Sequence, residues 1–189
     1  MRRTASAGKS LVEMPEKCRA IALASAGVPV GMIQTMDDVA AWHPKIQALH
    51  AYWQSRAPAI GFLPARSMID AADIPNLLPN IFMLDVIENP LRFRYRLAGT
   101  KLLYSGDREL TGMLMEKAHP NLFVAPPYAD YPACVREHRV SRWLGSPIFD
   151  WDREHVLIER LLLPLAGDGR KVDVILGLSI FLDANRREL

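Results

Sequence analysis

Residues 92–97 alternate arginine with an apolar or aromatic side chain, in the order Arg-Phe-Arg-Tyr-Arg-Leu. Because successive side chains of a β-strand point to opposite faces of a sheet, this alternation predicts a strand that is buried on one face only. A run of β-forming residues at 81–87 precedes it, and Glu88-Asn89-Pro90 between the two is typical of a turn. The two segments therefore predict a β-hairpin with one face in water. Its inward side chains are expected to be Phe93, Tyr95 and Leu97, and its outward ones Arg92, Arg94 and Arg96.

The arginine row of this hairpin resembles a nucleic-acid patch, but acidic residues lie near it in the sequence, at Glu88, Asp107 and Glu109. The whole chain carries 23 basic and 21 acidic residues, so it has no global field that would draw it onto nucleic acid or an anionic membrane. We therefore expect a solvated face with cross-strand ion pairs, and no nucleic-acid partner.

Three further strands are predicted near the C-terminus, at 146–151, 155–165 and 172–182, with a Gly-rich turn at 166–169. Short helices are expected at 73–78, at 99–104 and between 112 and 119, and a longer helix at 130–143. A helix, two strands, a helical middle and three strands close as one antiparallel sheet with helices on one side. The fold class is therefore α+β.

Residues 1–36 are rich in Ala, Ser and Gly, and we expect a flexible N-terminal extension there, followed by a single domain at 37–189. Cys18 and Cys134 lie far apart and outside any Cys-x-x-Cys spacing, which argues against a disulfide framework and a structural zinc site. A reducing cytoplasm fits this cysteine usage. No window approaches the ~20 uncharged apolar residues that span a bilayer, so no direct membrane insertion is expected.

The first helix is predicted over residues 38–56, since Asp37 or Asp38 offers an N-cap and Ala57-Pro58 ends it. Apolar side chains recur along it at three- and four-residue steps: Val39, Trp42, Ile46, Leu49 and Trp53. Together with Tyr52 they form a larger apolar surface than an isolated helix in water carries. Core packing and self-association account for it equally well, and we predict a homodimer built partly from this helix.

Several sequence blocks occur together between residues 49 and 182. They are His50-Ala51-Tyr52-Trp53, Leu63-Pro64-Ala65-Arg66-Ser67-Met68-Ile69-Asp70, Leu77-Leu78-Pro79, Arg94-Tyr95-Arg96-Leu97-Ala98-Gly99-Thr100, Leu110-Thr111-Gly112 and Leu163-Pro164-Leu165. In this combination and order the chain resembles a bacterial PAS-domain family that often occurs as short stand-alone proteins.

This resemblance implies a five-stranded antiparallel sheet, a helical cover that encloses a small cavity, and a leading helix that packs on the sheet or on a second copy. It implies a role in signalling. It implies no particular cofactor, because the PAS fold holds haem, flavin, small acids or nothing. The chain lacks the Asn-Cys-Arg-Phe-Leu-like block of light-sensing flavin relatives, which argues against photochemistry; no cofactor, neither haem nor flavin, is predicted.

The residues of the cavity wall are predicted in two ways: from the hairpin side chains that are expected to point inward, and from the segment that follows Gly99. The expected lining residues are Met83, Asp85, Tyr95, Leu97, Leu102, Leu103 and Tyr104.

Five motif residues have structural explanations beside functional ones. Arg66 and Asp70 lie four apart in a proline-punctuated connector, where an ion pair or a carboxylate-to-backbone bond would fix the chain path; alternatively, Arg66 binds an acidic ligand. Gly99 and Gly112 permit a positive φ or a close approach of chains, and Thr100 can cap a helix. We expect these structural roles.

Asp130, Cys134 and His138 are spaced four apart, which would align a carboxylate, a thiol and an imidazole on one helix face. No second Cys/His pair completes a closed site, so no metal is predicted. His119 and His138 are the candidate axial ligands for haem.

Catalytic motifs of the GxSxG, Walker, HExxH and GxGxxG types are absent from the sequence. The acidic cluster at 150–155 is expected to form a turn, although Asp150 or Glu154 with His155 could act as acid and base in a cleft. We predict a non-enzymatic sensory module that binds a small molecule or a signalling partner and relays through protein contacts. The alternative is a small isomerase-like or hydratase-like enzyme, or a carrier, on a curved sheet, with Asp85 as its inward carboxylate.

Overall fold

One antiparallel sheet organises the protein, with helical layers on both of its faces. The computed structural model describes residues 36–59, 61–105, 109–146 and 156–189. The strands are β1 (Ile81–Ile87), β2 (Arg92–Ala98), β3 (Ser141–Gly145), β4 (Leu157–Leu165) and β5 (Val174–Leu182). They lie in the order β2-β1-β5-β4-β3, and every neighbouring pair is antiparallel. The predicted α+β class and five-stranded PAS-like sheet are confirmed.

The helices of the described residues are mostly short. The α-helices are α1 (Pro44–Ser55), α2 (Met115–Ala118) and α3 (Asp130–Arg136). The 3-10 segments are Met36–Ala41, Arg66–Met68, Ala71–Asp73, Leu78–Asn80, Thr100–Ser105, Pro120–Val124 and Pro126–Ala129. Six prolines open or interrupt these helices and 3-10 segments and explain their brevity, because proline removes a backbone donor and restricts the residue before it.

The two faces of the sheet bury different side chains. The outer face, which α1 covers, buries mainly leucine and isoleucine, among them Leu161, Leu163, Leu176, Leu178 and Ile180. The inner face, which residues 99–105 and 109–137 cover, buries mainly aromatic and bulky side chains, among them Phe82, Leu84, Phe93, Tyr95 and Leu162. Leu161 and Leu162 are neighbours on β4 and belong to opposite faces, as the alternation of a strand requires.

The hairpin of β1 and β2 follows the prediction as far as Tyr95. Phe93 pairs with Val86 and Tyr95 with Leu84, and both aromatic rings are buried on the inner face. A register shift then inserts one extra residue in β2, so that Leu97 lies opposite Met83. The inward position predicted for Leu97 is wrong: the bulge turns its side chain to the other face, where it is 41% exposed.

Helix α1 packs against the sheet of its own chain and buries Ile46 and Leu49 on the outer face, together with Trp42, which precedes the helix. It begins later than predicted, at Pro44, because proline constrains the preceding residue to an extended conformation and His43 has φ −57° and ψ 139°. The His43 imidazole Nδ1 caps the helix by accepting from the Lys45 N–H at 3.3 Å. The apolar stripe of this helix is therefore used inside the core.

The predicted helix at 130–143 ends early. Helix α3 stops at Arg136, His138 adopts a positive φ of 54°, and residues 141–145 form β3 instead of the last helical turns. The backbone leaves the helix so that Ser141–Gly145 can pair with β4. Of the strand predicted at 146–151, residues 147–151 lie outside the described residues.

The motif residues of the connector and turns serve the chain path. Arg66 donates from Nη1 to the Ile69 carbonyl at 3.0 Å, and the Asp70 carboxylate accepts from the Ala72 N–H at 2.9 Å; the two do not pair with each other. A Cβ at Gly99 would overlap the backbone of residues 78 and 79, whereas Gly112 has a φ of +83°. Thr100 opens the 3-10 segment that follows Gly99.

Candidate functional site

A cavity of about 60 Å³ lies between the inner face of the sheet and the helical cover. All five strands contribute to its wall, through Phe82, Tyr95, Trp143, Ile158, Arg160, Ser179 and Phe181. The helical cover contributes Leu102, Leu110, His119, Leu122, Pro127 and Tyr131. One water molecule needs roughly 10–15 Å³ of such space, so the cavity suits a molecule of a few heavy atoms. Haem and flavin ring systems are much larger.

Aromatic rings make up much of this wall. Tyr95 packs beside Phe82 and meets the His119 ring edge-on, with centroids 6.3 and 5.9 Å apart. Gly177 lies opposite Phe82 in the β1–β5 register, and a Cβ there would overlap the Phe82 ring. Absence of a side chain at Gly177 therefore lets the Phe82 ring lie against β5 and shape the cavity.

Arg160 is the cationic residue in the wall, and its side chain is only 6% exposed. Its Nη2 donates to the Asp130 carboxylate at 2.6 Å and to the Pro127 carbonyl at 3.3 Å. The guanidinium carbon lies 4.6 Å from the centroid of the Tyr131 ring. The Arg160 Nε–H is buried and has no hydrogen-bond partner among the residues that the structure describes. A buried donor without an acceptor destabilises the fold by about 1–3 kcal/mol, and most buried polar atoms in native proteins have a hydrogen-bond partner. The unpaired Arg160 Nε–H is therefore unusual.

Burial keeps two side chains of this region, Tyr95 and Cys134, neutral by raising their pKa values. It raises the pKa of Tyr95 far above its usual value of 10, so the phenol remains protonated beside the cavity. It also raises the pKa of Cys134 to about 12, which leaves this residue an unreactive thiol in the core.

The residue that precedes Arg160 on β4, Glu159, lies on the opposite face of the sheet. Glu159, next to Arg160, accepts from the Arg142 Nε–H at 2.8 Å and from the His43 backbone N–H at 3.0 Å. Further along the same strand, the Pro164 carbonyl accepts from the Trp53 indole N–H at 3.0 Å. Strand β4 thus holds both ends of α1, while its Ile158 and Arg160 side chains line the cavity.

Comparison with known families agrees with this architecture. A family model described as a PAS domain matches residues 41–180, about three quarters of the chain. This chain belongs to the PAS domain family. PAS domains serve broadly as sensory and binding modules. Searches of curated proteins and of solved structures find no significant match.

The described part of this PAS domain holds no helix of the length and apolarity needed to cross a membrane.

Two of the seven predicted cavity residues line the cavity of the PAS domain, namely Tyr95 and Leu102. Met83, Asp85 and Leu97 lie on the outer side of the sheet, which corrects their predicted orientation. The reason is register: Leu84 pairs with the inward Tyr95, so its neighbours Met83 and Asp85 must face the other way. The side chains of Leu103 and Tyr104 lie outside the described residues.

Asp85 pairs with two arginines of β2 and does not line the cavity. Its carboxylate accepts from Arg94 Nη2 at 3.1 Å and from Arg96 Nε at 2.5 Å. Arg92 pairs with Glu116. All three members of the arginine row are therefore paired with acids, although these are not the acids that the sequence reading named; Glu88 instead pairs with Lys171.

Asp130, Cys134 and His138, the three residues with metal-ligand spacing in the sequence, do not come together. Asp130 pairs with Arg160, Cys134 is buried in the core, and His138 is exposed beyond the end of α3. Among the residues described, no three His, Cys, Asp or Glu side chains form a metal-sized group. His119 lines the cavity through its contact with Tyr95. Asp150, Glu154 and His155 lie outside the described residues.

Two polar residues of the cavity wall, Arg160 and Ser179, were not predicted from the sequence. A signal was present: Glu159-Arg160 interrupts a run that is otherwise apolar from 156 to 165, apart from Pro164. Adjacent opposite charges in a central strand point to opposite faces, and each needs a buried partner. The partners, Asp130 and Arg142, come from distant elements, which is why local patterning did not reveal them.

Proposed function

We propose that this PAS domain is a sensory module that binds a small molecule in the inner-face cavity and relays its presence through α1 to a partner protein. The observation that carries the proposal is the double role of β4. Arg160 lines the cavity, and its neighbour Glu159 contacts the start of α1. A change at one side chain of a strand is transmitted to the next because both share one backbone.

The link between β4 and α1 is short and buried. Glu159 is 4% exposed and bonds the His43 N–H, and the indole N–H of Trp53 bonds the backbone of Pro164. Movement of β4 when the cavity is occupied would therefore shift both ends of α1. The exposed side of α1 includes Ala48, Ala51 and Ser55, and it is the surface on which a partner would detect that shift.

A fragment screen by ligand-observed NMR, followed by hydrogen exchange of the bound protein, tests this proposal. Small fragments are expected to bind, Ser179→Val is expected to block them by filling the cavity, and bound fragments are expected to change exchange in α1. Trp53→Phe removes one hydrogen bond between α1 and β4 while keeping an aromatic side chain. It should reduce the α1 response and leave fragment affinity unchanged. The proposal fails if no fragment binds, or if binding leaves α1 unaffected.

The predicted homodimer through residues 38–56 is a separate part of the proposal. Since Trp42, Ile46 and Leu49 are buried in the core, self-association would use the exposed side of α1. Light scattering across a concentration series decides this point: a dimer mass that Ala51→Arg reduces to a monomer mass supports it, and a monomer mass throughout rejects it.

Catalysis through Asp85 is not proposed. That alternative needs an inward carboxylate in a cleft, and Asp85 lies on the outer side of the sheet between two arginines.

A further inference from the structure

Arg160 lines the cavity and has a buried hydrogen-bond donor without an acceptor among the described residues. Arg160 is buried, and two of its contacts use the same nitrogen, Nη2, toward Asp130 and Pro127. The donor without a partner is its Nε–H. Arginine carries five N–H donors in a rigid plane, so an acceptor placed at the Nε edge would meet a donor of fixed direction.

Aromatic rings hold the guanidinium plane in place. The Arg160 guanidinium carbon lies 4.6 Å from the Tyr131 ring centroid and 5.8 Å from that of Trp143. Stacking and the Asp130 bond together restrict rotation of the group, so little conformational entropy is lost when a ligand binds it.

A charged acceptor suits this donor better than a neutral one, because a hydrogen bond between a guanidinium and a carboxylate is shorter and stronger than a neutral one. Asp130 is the buried carboxylate beside Arg160, and its other oxygen lies 3.6 Å from Arg139 Nη2. The Arg139 side chain is 38% exposed, and Glu137, 3.9 Å from it, is 64% exposed, so solvent screens both of these charges.

A second polar group lies beside Arg160. Ser179 is its direct partner in the β4–β5 register, is largely buried and lines the same cavity. A hydroxyl and a guanidinium on adjacent strands can both donate to the two oxygens of one carboxylate. The remaining wall, including Leu122, Ile158 and Phe181, is apolar and would contact a hydrocarbon body.

We infer that the cavity binds a compact monocarboxylate with a short apolar body, whose carboxylate accepts from the Arg160 Nε–H and the Ser179 hydroxyl. The volume of about 60 Å³ limits the body to a few carbon atoms. This inference rests on the proposed sensory function and names the class of molecule that is sensed.

Titration of the full chain with propionate and with propionamide, followed by NMR and calorimetry, tests the inference. Propionate is expected to bind at least about tenfold more tightly, because a hydrogen bond to a charged group is stronger than one to a neutral group. The Arg160 Nε–H resonance is expected to shift downfield as it gains an acceptor. Equal affinity for the two molecules, or an unmoved Nε–H resonance at saturation, overturns the inference.

Two variants locate the carboxylate. Arg160→Lys keeps a cation for Asp130 but removes the planar Nε–H, and it should weaken propionate binding about tenfold or more. Arg142→Lys is the matched control, since Arg142 is equally buried and paired but on the outer face, and it should leave affinity within about twofold. Unchanged affinity in Arg160→Lys contradicts the inference.

Ser179→Ala provides a test that leaves the ion pair intact, in case Arg160→Lys fails to fold. It is expected to weaken propionate about threefold to tenfold, the range of one neutral hydrogen bond, and unchanged affinity also counts against the inference. If neutral fragments bind the cavity and carboxylates do not, the inference fails and the sensory proposal stands. If no molecule binds, both fail.

Discussion

The two faces of the sheet are built differently although they share the same strands. On the outer face, leucine and isoleucine side chains that are 0% exposed pack against Ile46 and Leu49 of α1. On the inner face, aromatic rings and Arg160 surround a cavity. The outer face is close-packed like an ordinary protein core, and the inner face keeps space.

The buried ion pairs of the two faces sharpen this contrast. The outer pair joins Arg142 to Glu159 at 2.8 Å, and Glu159 also accepts from the His43 backbone. The inner pair joins Arg160 to Asp130 at 2.6 Å and leaves the Arg160 Nε–H without an acceptor among the described residues. The outer pair therefore secures the leading helix, whereas the inner pair leaves a buried donor on a residue of the cavity wall.

Breaking the inner pair is expected to have the largest effect on stability. Arg160→Leu leaves the Asp130 carboxylate buried without its main partner, and we expect the free energy of unfolding to fall by about 3–5 kcal/mol. The double variant Asp130→Leu/Arg160→Leu should recover most of that loss, because no charge is then left buried alone. Urea unfolding of both variants measures the difference. A double variant no more stable than Arg160→Leu would show that the loss has another origin.

Matched truncations compare the packing of the two faces directly. Ile180 belongs to the outer face and is 0% exposed, whereas Ile158 lines the cavity and is 5% exposed. We expect Ile180→Ala to destabilise by about 4 kcal/mol and Ile158→Ala by about 2 kcal/mol, since Ile158 already lacks neighbours on its cavity side. Thermal or urea unfolding of the pair checks this. Equal losses would mean that the inner face is packed as tightly as the outer one.

A smaller, pH-dependent effect is expected from His50 in the outer layer. This residue is buried between Trp42 and Trp53, its Nε2 has no hydrogen-bond partner in the described part of the chain, and burial lowers its pKa below 6.5. The unfolded chain therefore takes up the proton first, so this contribution to stability is present above pH 6.5 and is lost as pH falls through the lower folded pKa.

His50→Phe keeps an aromatic ring between the tryptophans and removes the titration. Urea midpoints of the wild type and of this variant, compared between pH 8 and pH 5, isolate the effect. The wild type should lose more stability on acidification than the variant, and parallel losses would assign the pH dependence to other groups.

The smallest effect is expected at the exposed end of the hairpin. Asp85→Ala removes ion pairs whose arginines are about half exposed, so we expect a change of at most about 1 kcal/mol in stability. Because Asp85 lies away from the cavity, fragment binding should be unaltered, as a repeat of the NMR titration can show. A loss of binding in this variant would place the site on the other side of the sheet.

The periodicity of the sequence predicted the hairpin well because its signal is local. Alternation at 92–95 placed Phe93 and Tyr95 on one face, and the proline and turn residues around it bounded the strands. The apolar stripe containing Trp42, Ile46 and Leu49 likewise predicted a helix with a buried side. The predicted start of this helix at residue 38 was wrong, because a separate 3-10 segment ends at Ala41 and the α-helix begins at Pro44.

The sequence by itself determined the α+β class, the PAS-like order of elements and the inward phase of Tyr95, since each depends on neighbours within a few residues. Only the tertiary structure decided which residues form the cavity. The bulge that turns Leu97 outward depends on how β2 pairs with β1. The burial of Arg160 depends on Asp130, 30 residues away in the chain. A buried charge is strongly destabilising without an oppositely charged partner, and only folding brings this partner to it.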